Sequence, residues 1–229
     1  MAMHDEVKEQ HKKLKGRSFR EKLEYFWYYY KIHVFAAILA AAAAGIFIRD
    51  VAASRPEAFS AVLLNAGGSE RQADFQADFA AYAGIDTEAY DCAIDTGTSL
   101  SVGSMSQTGF VTSQKLIGLA QAGNIDVMVS DSEAFDSYAE GKMFLDLREE
   151  LTPEEYSRYR EDFYYIDYTD ENGTLTEENV PVGICLKDSA KLKEWGCYSD
   201  AAAPPIFGFV YSSKRPELCR LFLEYLTAE

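Results

Sequence analysis

The sequence predicts an α/β domain, a layered and mostly parallel sheet covered by helices, preceded by one transmembrane helix. Two patterns carry that expectation. From residue 59 onward, short apolar runs alternate with segments whose apolar residues recur every three or four positions, as strands and amphipathic helices do in turn. Before them, residues 32–48 form one uninterrupted apolar stretch with bases and aromatics on its N-terminal side.

The 229-residue chain is 48% apolar and 14% aromatic, enough to bury a core. Its net charge of −15 is unevenly spread. Met1 to Lys31 hold eight Lys/Arg against five Asp/Glu, a balance of +3, whereas residues 50–229 hold thirteen against thirty-two, a balance of −19. Such an acidic domain repels phosphate backbones, and no basic patch interleaved with aromatics offsets it, so nucleic acid is excluded as a partner.

Ile32 to Ile48 reads IHVFAAILAAAAAGIFI, with His33 its only ionisable side chain. Tyr25, Phe26, Trp27, Tyr28, Tyr29 and Tyr30 suit the headgroup layer, and Lys31 can snorkel from the helix end. Lys8, Lys12, Lys13, Lys15, Arg17, Arg20 and Lys22 precede the span and only Arg49 closely follows it, which places the N-terminus in the cytoplasm. The chain therefore divides into a cytoplasmic basic and aromatic segment (1–31), a span (32–48), a linker (49–58) and an extracellular domain (59–229). Residues 5–24 read as a surface-lying helix. Val51-Ala52-Ala53 would suit a signal peptidase, but the segment before the span is longer and more aromatic than a signal peptide's n-region.

In the outer domain, Phe59 to Leu64 reads as a buried strand ending in the turn Asn65-Ala66-Gly67-Gly68. Ser69 and Gln72 have capping-box spacing before a helix with Phe75, Phe79 and Tyr82 on one face. Tyr90 to Ile94 is a second strand and Asp95 to Thr108 a loop. Thr112 or Ser113 caps a helix carrying Leu116, Ile117 and Ala120, and Ile125 to Val129 is a central strand. Asp131 caps the Phe135–Tyr138 helix, and Thr152, Pro153 and Glu155 open another. Phe163 to Thr169 and Thr174 to Asn179 form a polar hairpin. A strand at 182–186, a helix at 188–195 and a strand at 206–211 follow. The last helix lines up Leu218, Leu221, Phe222, Tyr225 and Leu226.

All three histidines, His4, His11 and His33, fall before or within the span. This excludes Ser-His-Asp and Cys-His catalysis and a His-bearing zinc site in the outer domain. Asp131 with Glu133, or Glu149 with Glu150, have the residue types of two-carboxylate glycoside chemistry, but a cap role for Asp131 and a helix-face role for Glu149 and Glu150 account for them better. Glycines 97–109 lack phosphate-loop spacing, and Asp167, Asp170, Glu171 and Asn172 lack calcium-loop spacing; no cofactor or metal is expected. Cys92, Cys185, Cys197 and Cys219 read as buried thiols, with Cys185 and Cys197 the first disulfide to test. What remains is binding. In a layered parallel sheet ligands collect beyond the strand C-termini, which here means Asn65, Gly67 and Ser69; Thr96, Thr98 and Ser99; Ser130, Asp131 and Ser132; and Tyr211 and Ser212. Tyr164, Tyr165 and Tyr168 supply faces for a stacking wall.

The order of elements from Gln121 to Leu226 resembles the type 2 periplasmic (extracellular) solute-binding-protein fold. The matching stretches are Gly123 to Val129, Phe135 to Tyr138, Gly141 to Leu147, Leu151-Thr152-Pro153, Pro181 to Ile184, and Phe207 to Val210 followed by the last helix. Tyr29-Tyr30-Lys31 before a single span resembles a set of membrane-anchored proteins of anaerobic Firmicutes. The resemblance implies two small lobes closing over a ligand, crossed near 100–110 and 180–184, with Gly103, Gly109 and Gly183 as hinges. This domain is shorter than that family's and lacks a lipobox cysteine. The expected function is a membrane-tethered, non-enzymatic ligand-binding or protein-interaction module, whose partner is an unknown small ligand or a cell-surface protein. A receptor serving an ABC-type transporter permease and a carboxylate-dependent glycan hydrolase are the alternatives.

A reporter fused after Glu229 is expected outside the cell on a mature chain that keeps residues 32–48. Protease accessibility on intact cells and N-terminal sequencing check this, and a mature chain beginning at Ser54 would reject the anchor.

Overall fold

The computed structural model describes residues 19–53, 55–100, 107–170, 172–199 and 201–228. The hinge expected at Gly103 and residues 5–18 of the surface helix expected over 5–24 lie outside them. The chain divides into two units, Met1–Ser54 and Arg55–Glu229.

In the first unit one helix, α1 (Phe19–Ala53), runs for 35 residues and takes in residues 49–53 of the expected linker. Within it, Lys31–Arg49 is 19 residues long with a mean hydropathy of 2.0. At about 1.5 Å per residue that is about 28 Å, close to a bilayer's hydrocarbon thickness. Ile32, Phe35, Ile38, Leu39 and Phe47 are exposed, unlike the side chains of a core helix. The segment is thus long and apolar enough to cross a membrane.

The second unit is built on one six-stranded sheet. Its strands are β1 (Glu57–Leu63), β2 (Asp91–Asp95), β3 (Val127–Ser130), β4 (Phe163–Thr169), β5 (Leu175–Cys185) and β6 (Ile206–Phe209), in the order β2-β1-β3-β6-β5-β4. β1 runs parallel to β2 and β3, whereas β3–β6, β6–β5 and β5–β4 are antiparallel. The sheet is therefore mixed, not mostly parallel. Helical crossovers α2 (Gln72–Tyr82) and α3 (Gln107–Gln121) return the chain to β2 and β3 in the same direction. The hairpin β4–β5 and the entry of β6 beside β3 reverse it. All six strands share this sheet and no second lobe is separated from it among the described residues.

Strand alternation divides the core between the two faces. Phe59, Ala61, Leu63, Val127, Val129, Phe207 and Phe209 face α2 and the C-terminal helix α8 (Pro216–Thr227); Val62, Leu64, Met128, Val182 and Ile206 face α3 and α4 (Ser132–Ala139). On the first face Phe79 meets Phe222 edge-on at 4.7 Å and Phe75 stacks on Trp195 at 5.6 Å. The indole of Trp195 donates to the Tyr225 hydroxyl at 2.9 Å, which donates to Asp78 at 2.6 Å. Helix α5 (Leu147–Glu150), α6 (Pro153–Tyr159) and α7 (Ala190–Glu194) complete this layer.

On the opposite face Phe135 lies flat against Phe144, with centroids 4.2 Å apart, and presses on two glycines. A Cβ on Gly183 would come within 2.5 Å of Ile206 Cγ2 and 2.8 Å of Phe135, and one on Gly208 within 2.6 Å of Phe144. Gly183 thus sits inside β5 where a side chain has no room, and close approach rather than rotation accounts for it. Gly109 lies within α3, which begins at Gln107, several residues before the cap expected at Thr112 or Ser113. The strands expected at 174–179 and 182–186 are one strand, β5. Helix α2 follows a 3-10 turn, Ser69–Arg71, which puts Arg71 and not Ser69 at the cap position, and the Gln72 side-chain oxygen accepts from the Thr96 N–H and hydroxyl. The capping box at Thr152 and Glu155 forms as the spacing predicts.

One buried charge ties the N-terminal ends of β1 and β3 to the segment after β6. Asp126, with no exposed surface, accepts from the Ser60 N–H at 2.9 Å, the Ser213 hydroxyl at 2.7 Å and Arg215 at 3.0 and 3.2 Å. Arg215 also donates to the Glu57 carbonyl at 2.8 Å. Removing one member of a buried pair strands the other. Arg215→Met should cost about 3 kcal/mol in urea denaturation, while Lys193→Ala, which deletes an exposed pair with Asp188, should cost less than about 0.5 kcal/mol. Equal effects would contradict the structural role of Asp126.

Candidate ligand cleft at the C-terminal strand edge

β2, β1 and β3 end at the same edge of the sheet, and their loops carry most of the residues expected to bind. Asn65, just beyond β1, joins the three. Its carboxamide donates to Asp131 Oδ2 at 2.7 Å and to the Leu100 carbonyl at 3.0 Å and accepts from the Leu100 N–H at 2.9 Å, while its own N–H reaches the Thr98 carbonyl at 3.1 Å. This geometry requires a φ of 58°, a left-handed conformation that Asn tolerates better than most residues. Asp131 has both carboxylate oxygens engaged, since Oδ1 caps α4 by accepting from the Ala134 N–H at 2.9 Å.

Above this floor lies a cleft of 570 Å³ lined by Asn65, Gly67, Asp131, Ser132, Glu133 and, from across, Gly196, Tyr198, Ser199 and the alanines 201–203. Tyr198, itself at a φ of 56°, donates its hydroxyl to the carbonyls of Leu64 at 2.8 Å and Val129 at 2.9 Å, and its N–H reaches the Ala66 carbonyl at 2.7 Å. It thereby clamps the two strand ends that carry the cleft. Burial pushes its phenol well above the ordinary range, with Cys197 and Asp131 adding to the effect. Gly68 admits this arrangement, because a Cβ there would lie 2.7 Å from Cys197 Sγ and 2.8 Å from the Trp195 carbonyl.

The other expected residues fall elsewhere. Ser69 belongs to the 3-10 turn beyond Gly68. Thr96 is buried against Gln72, Thr98 bonds Asp95, and Ser99 is exposed outside the cleft lining. Ser130 is fully buried in β3, and its hydroxyl has no partner among the described residues. Tyr211 and Ser212 lie at the opposite edge of the sheet because β6 is antiparallel to β3, with Phe209 level with Val127. There the Ser212 hydroxyl donates to the Ala120 carbonyl. The stacking wall is not built by β4, which lies three strands beyond β3: Tyr168 is buried against the α3–α4 layer, Tyr164 donates to Asp136 at 2.8 Å, and Tyr165 is exposed. Tyr198 takes that place, without a local sequence signal to mark it.

Glu150 is paired with Arg220 at 2.9 Å, and Asp170 holds its own turn by accepting from the N–H groups of Asn172 and Thr174. All four thiols are free; burial pushes Cys92 and Cys197 to about 11 and Cys219 to about 12, leaving little thiolate at neutral pH. A wider depression of 640 Å³ beside α8 is crossed by the Lys187–Asp162 ion pair at 2.6 Å. Comparisons with protein-family models, curated proteins and solved structures find no match to this chain.

Tyr198→Phe should cost about 1–2 kcal/mol at neutral pH by taking the donor from two carbonyls. A phenol whose folded-state pKa is raised stabilises the fold fully below its unfolded value near 10, and that stability is lost as pH rises through the folded value. The parent should therefore lose stability above pH ~10 more steeply than the variant. Identical alkaline unfolding profiles for the two proteins would contradict the clamp.

Proposed function

We propose that this chain is a membrane-tethered, non-enzymatic ligand-binding protein whose acidic C-terminal domain works outside the cell. One observation carries the reading: the position of the cleft. β1 and β3 are parallel neighbours, and the chain leaves β1 for α2 on one face of the sheet and β3 for α4 on the other. A crevice opens between such diverging loops, and in open α/β sheets this is where small ligands bind. The 570 Å³ cleft lies between these two loops.

The chemistry of the lining favours binding over turnover. Asp131 has both oxygens engaged and the Tyr198 hydroxyl serves two carbonyls, so among the described lining residues Glu133 is the only uncommitted acid. That is one short of the pair a carboxylate-dependent glycan hydrolase needs. The basic flank before the span and the acidic domain after it support an N-terminus in the cytoplasm, and the exposed apolar face of α1 supports tethering.

The test is thermal unfolding of the full chain in non-ionic detergent across amino acids, sugars, oligopeptides and polyamines. A ligand that binds only the folded state raises stability by about 2.7 kcal/mol at a hundred times its Kd. At least one compound should raise Tm, and Ala202→Trp, which fills the cleft, should abolish the rise. No shift with any class would overturn the small-ligand reading in favour of a protein partner.

A further inference from the structure

Building on that cleft, we infer that its ligand is an organic cation carrying ammonium groups, not a carboxylate, a phosphate or a neutral sugar. None of the described lining residues is Lys, Arg or His, while Asp131 and Glu133 both line the space. Glu133 is exposed and has no cationic partner among the described residues. The Tyr198 phenol stays neutral and donates away from the cleft to two backbone carbonyls.

Three cations near the cleft's lining residues in sequence are engaged elsewhere. Arg71 lies over the Trp195 ring at 4.6 Å, Lys191 pairs with Asp78 at 3.0 Å, and Lys193 pairs with Asp188 at 2.8 Å. The start of α4 offers no net attraction for an anion, because Asp131 caps it and Glu133 occupies its first turn, so the protein's own carboxylates already answer the helix dipole. A recess bearing one sign of charge within a domain of balance −18, thirteen bases against thirty-one acids over Arg55–Glu229, concentrates counter-ions. The hydroxyls of Ser132 and Ser199 add acceptors for N–H donors. At 570 Å³ the space holds an extended amine several carbons long.

Titration calorimetry on the full chain in non-ionic detergent, with spermidine, glutarate and glucose as cationic, anionic and neutral probes, tests the inference. Spermidine should bind at one site with affinity that falls as salt rises, while the other two do not bind. Glu133→Gln should weaken binding at least about five-fold and Glu133→Lys should abolish it. Glu154→Gln, at an exposed acid of α6 outside the cleft, should leave affinity within about two-fold. Binding of glutarate or glucose in place of spermidine, blocked by Ala202→Trp, would overturn the cation assignment and leave the cleft standing. Spermidine binding that Ala202→Trp does not affect, or that Glu154→Gln weakens as much as Glu133→Gln, would reduce the effect to diffuse surface attraction and overturn it. Silence from all three probes would overturn both the assignment and the site on which it rests.

Discussion

A carboxylate removed from water must be compensated in full, and the arrangement around Asp126 meets that demand in a way that organises the whole sheet. Its side chain draws together the Ser60 N–H of β1, the Ser213 hydroxyl beyond β6 and the Arg215 guanidinium at the start of α8. Its backbone does the same: the Asp126 N–H donates to the Ser60 carbonyl, and the Asp126 carbonyl accepts from the Val210 N–H. A slip of one residue between β1 and β3 would cost this charge its Ser60 donor, so the buried carboxylate helps to fix register as well as contact. Burial raises the pKa of nearby half-buried Glu57, with Arg215 opposing the rise.

Locking the N-terminal ends of the parallel strands leaves their C-terminal ends to carry loops. There the stabilising groups are neutral and directional. Asn65 knits three loops with four hydrogen bonds, and Tyr198 reaches two strand ends with one hydroxyl. Polar groups bonded to one another hold the floor of the cleft together, and Asp131 and Glu133 at the start of α4 give it its charge. On the wall opposite, Ser199 and the alanines 201–203 are short and exposed, so the cleft is shaped from one side and open on the other.

Much of this was legible in the sequence wherever the information is local. The strand at 59–64 and its turn, the Asp131 cap, the capping box at Thr152 and Glu155, and the apolar face of α8 each follow from spacing within a few residues. Strand direction is not local. The twenty residues between β5 and β6 are long enough to return either parallel or antiparallel, so the placement of Tyr211 and Ser212 beside Asn65 failed once β6 proved antiparallel. The role of Tyr198 was equally hidden, because its hydroxyl bonds a carbonyl 134 residues earlier in the chain. Gly183 shows the same limit: a glycine required by the packing of Phe135 and Ile206 reads, in one dimension, like a hinge.

The account therefore stands on a single edge of the sheet, where topology, shape and charge coincide. Hydrogen–deuterium exchange on the full chain with and without spermidine tests it most directly, because amide protection reports location independently of affinity. Slower exchange confined to residues 65–67, 131–133 and 196–203 is the predicted result. Protection centred instead on residues 210–213 at the opposite edge, on the depression around Lys187 and Asp162, or nowhere in the domain would contradict it.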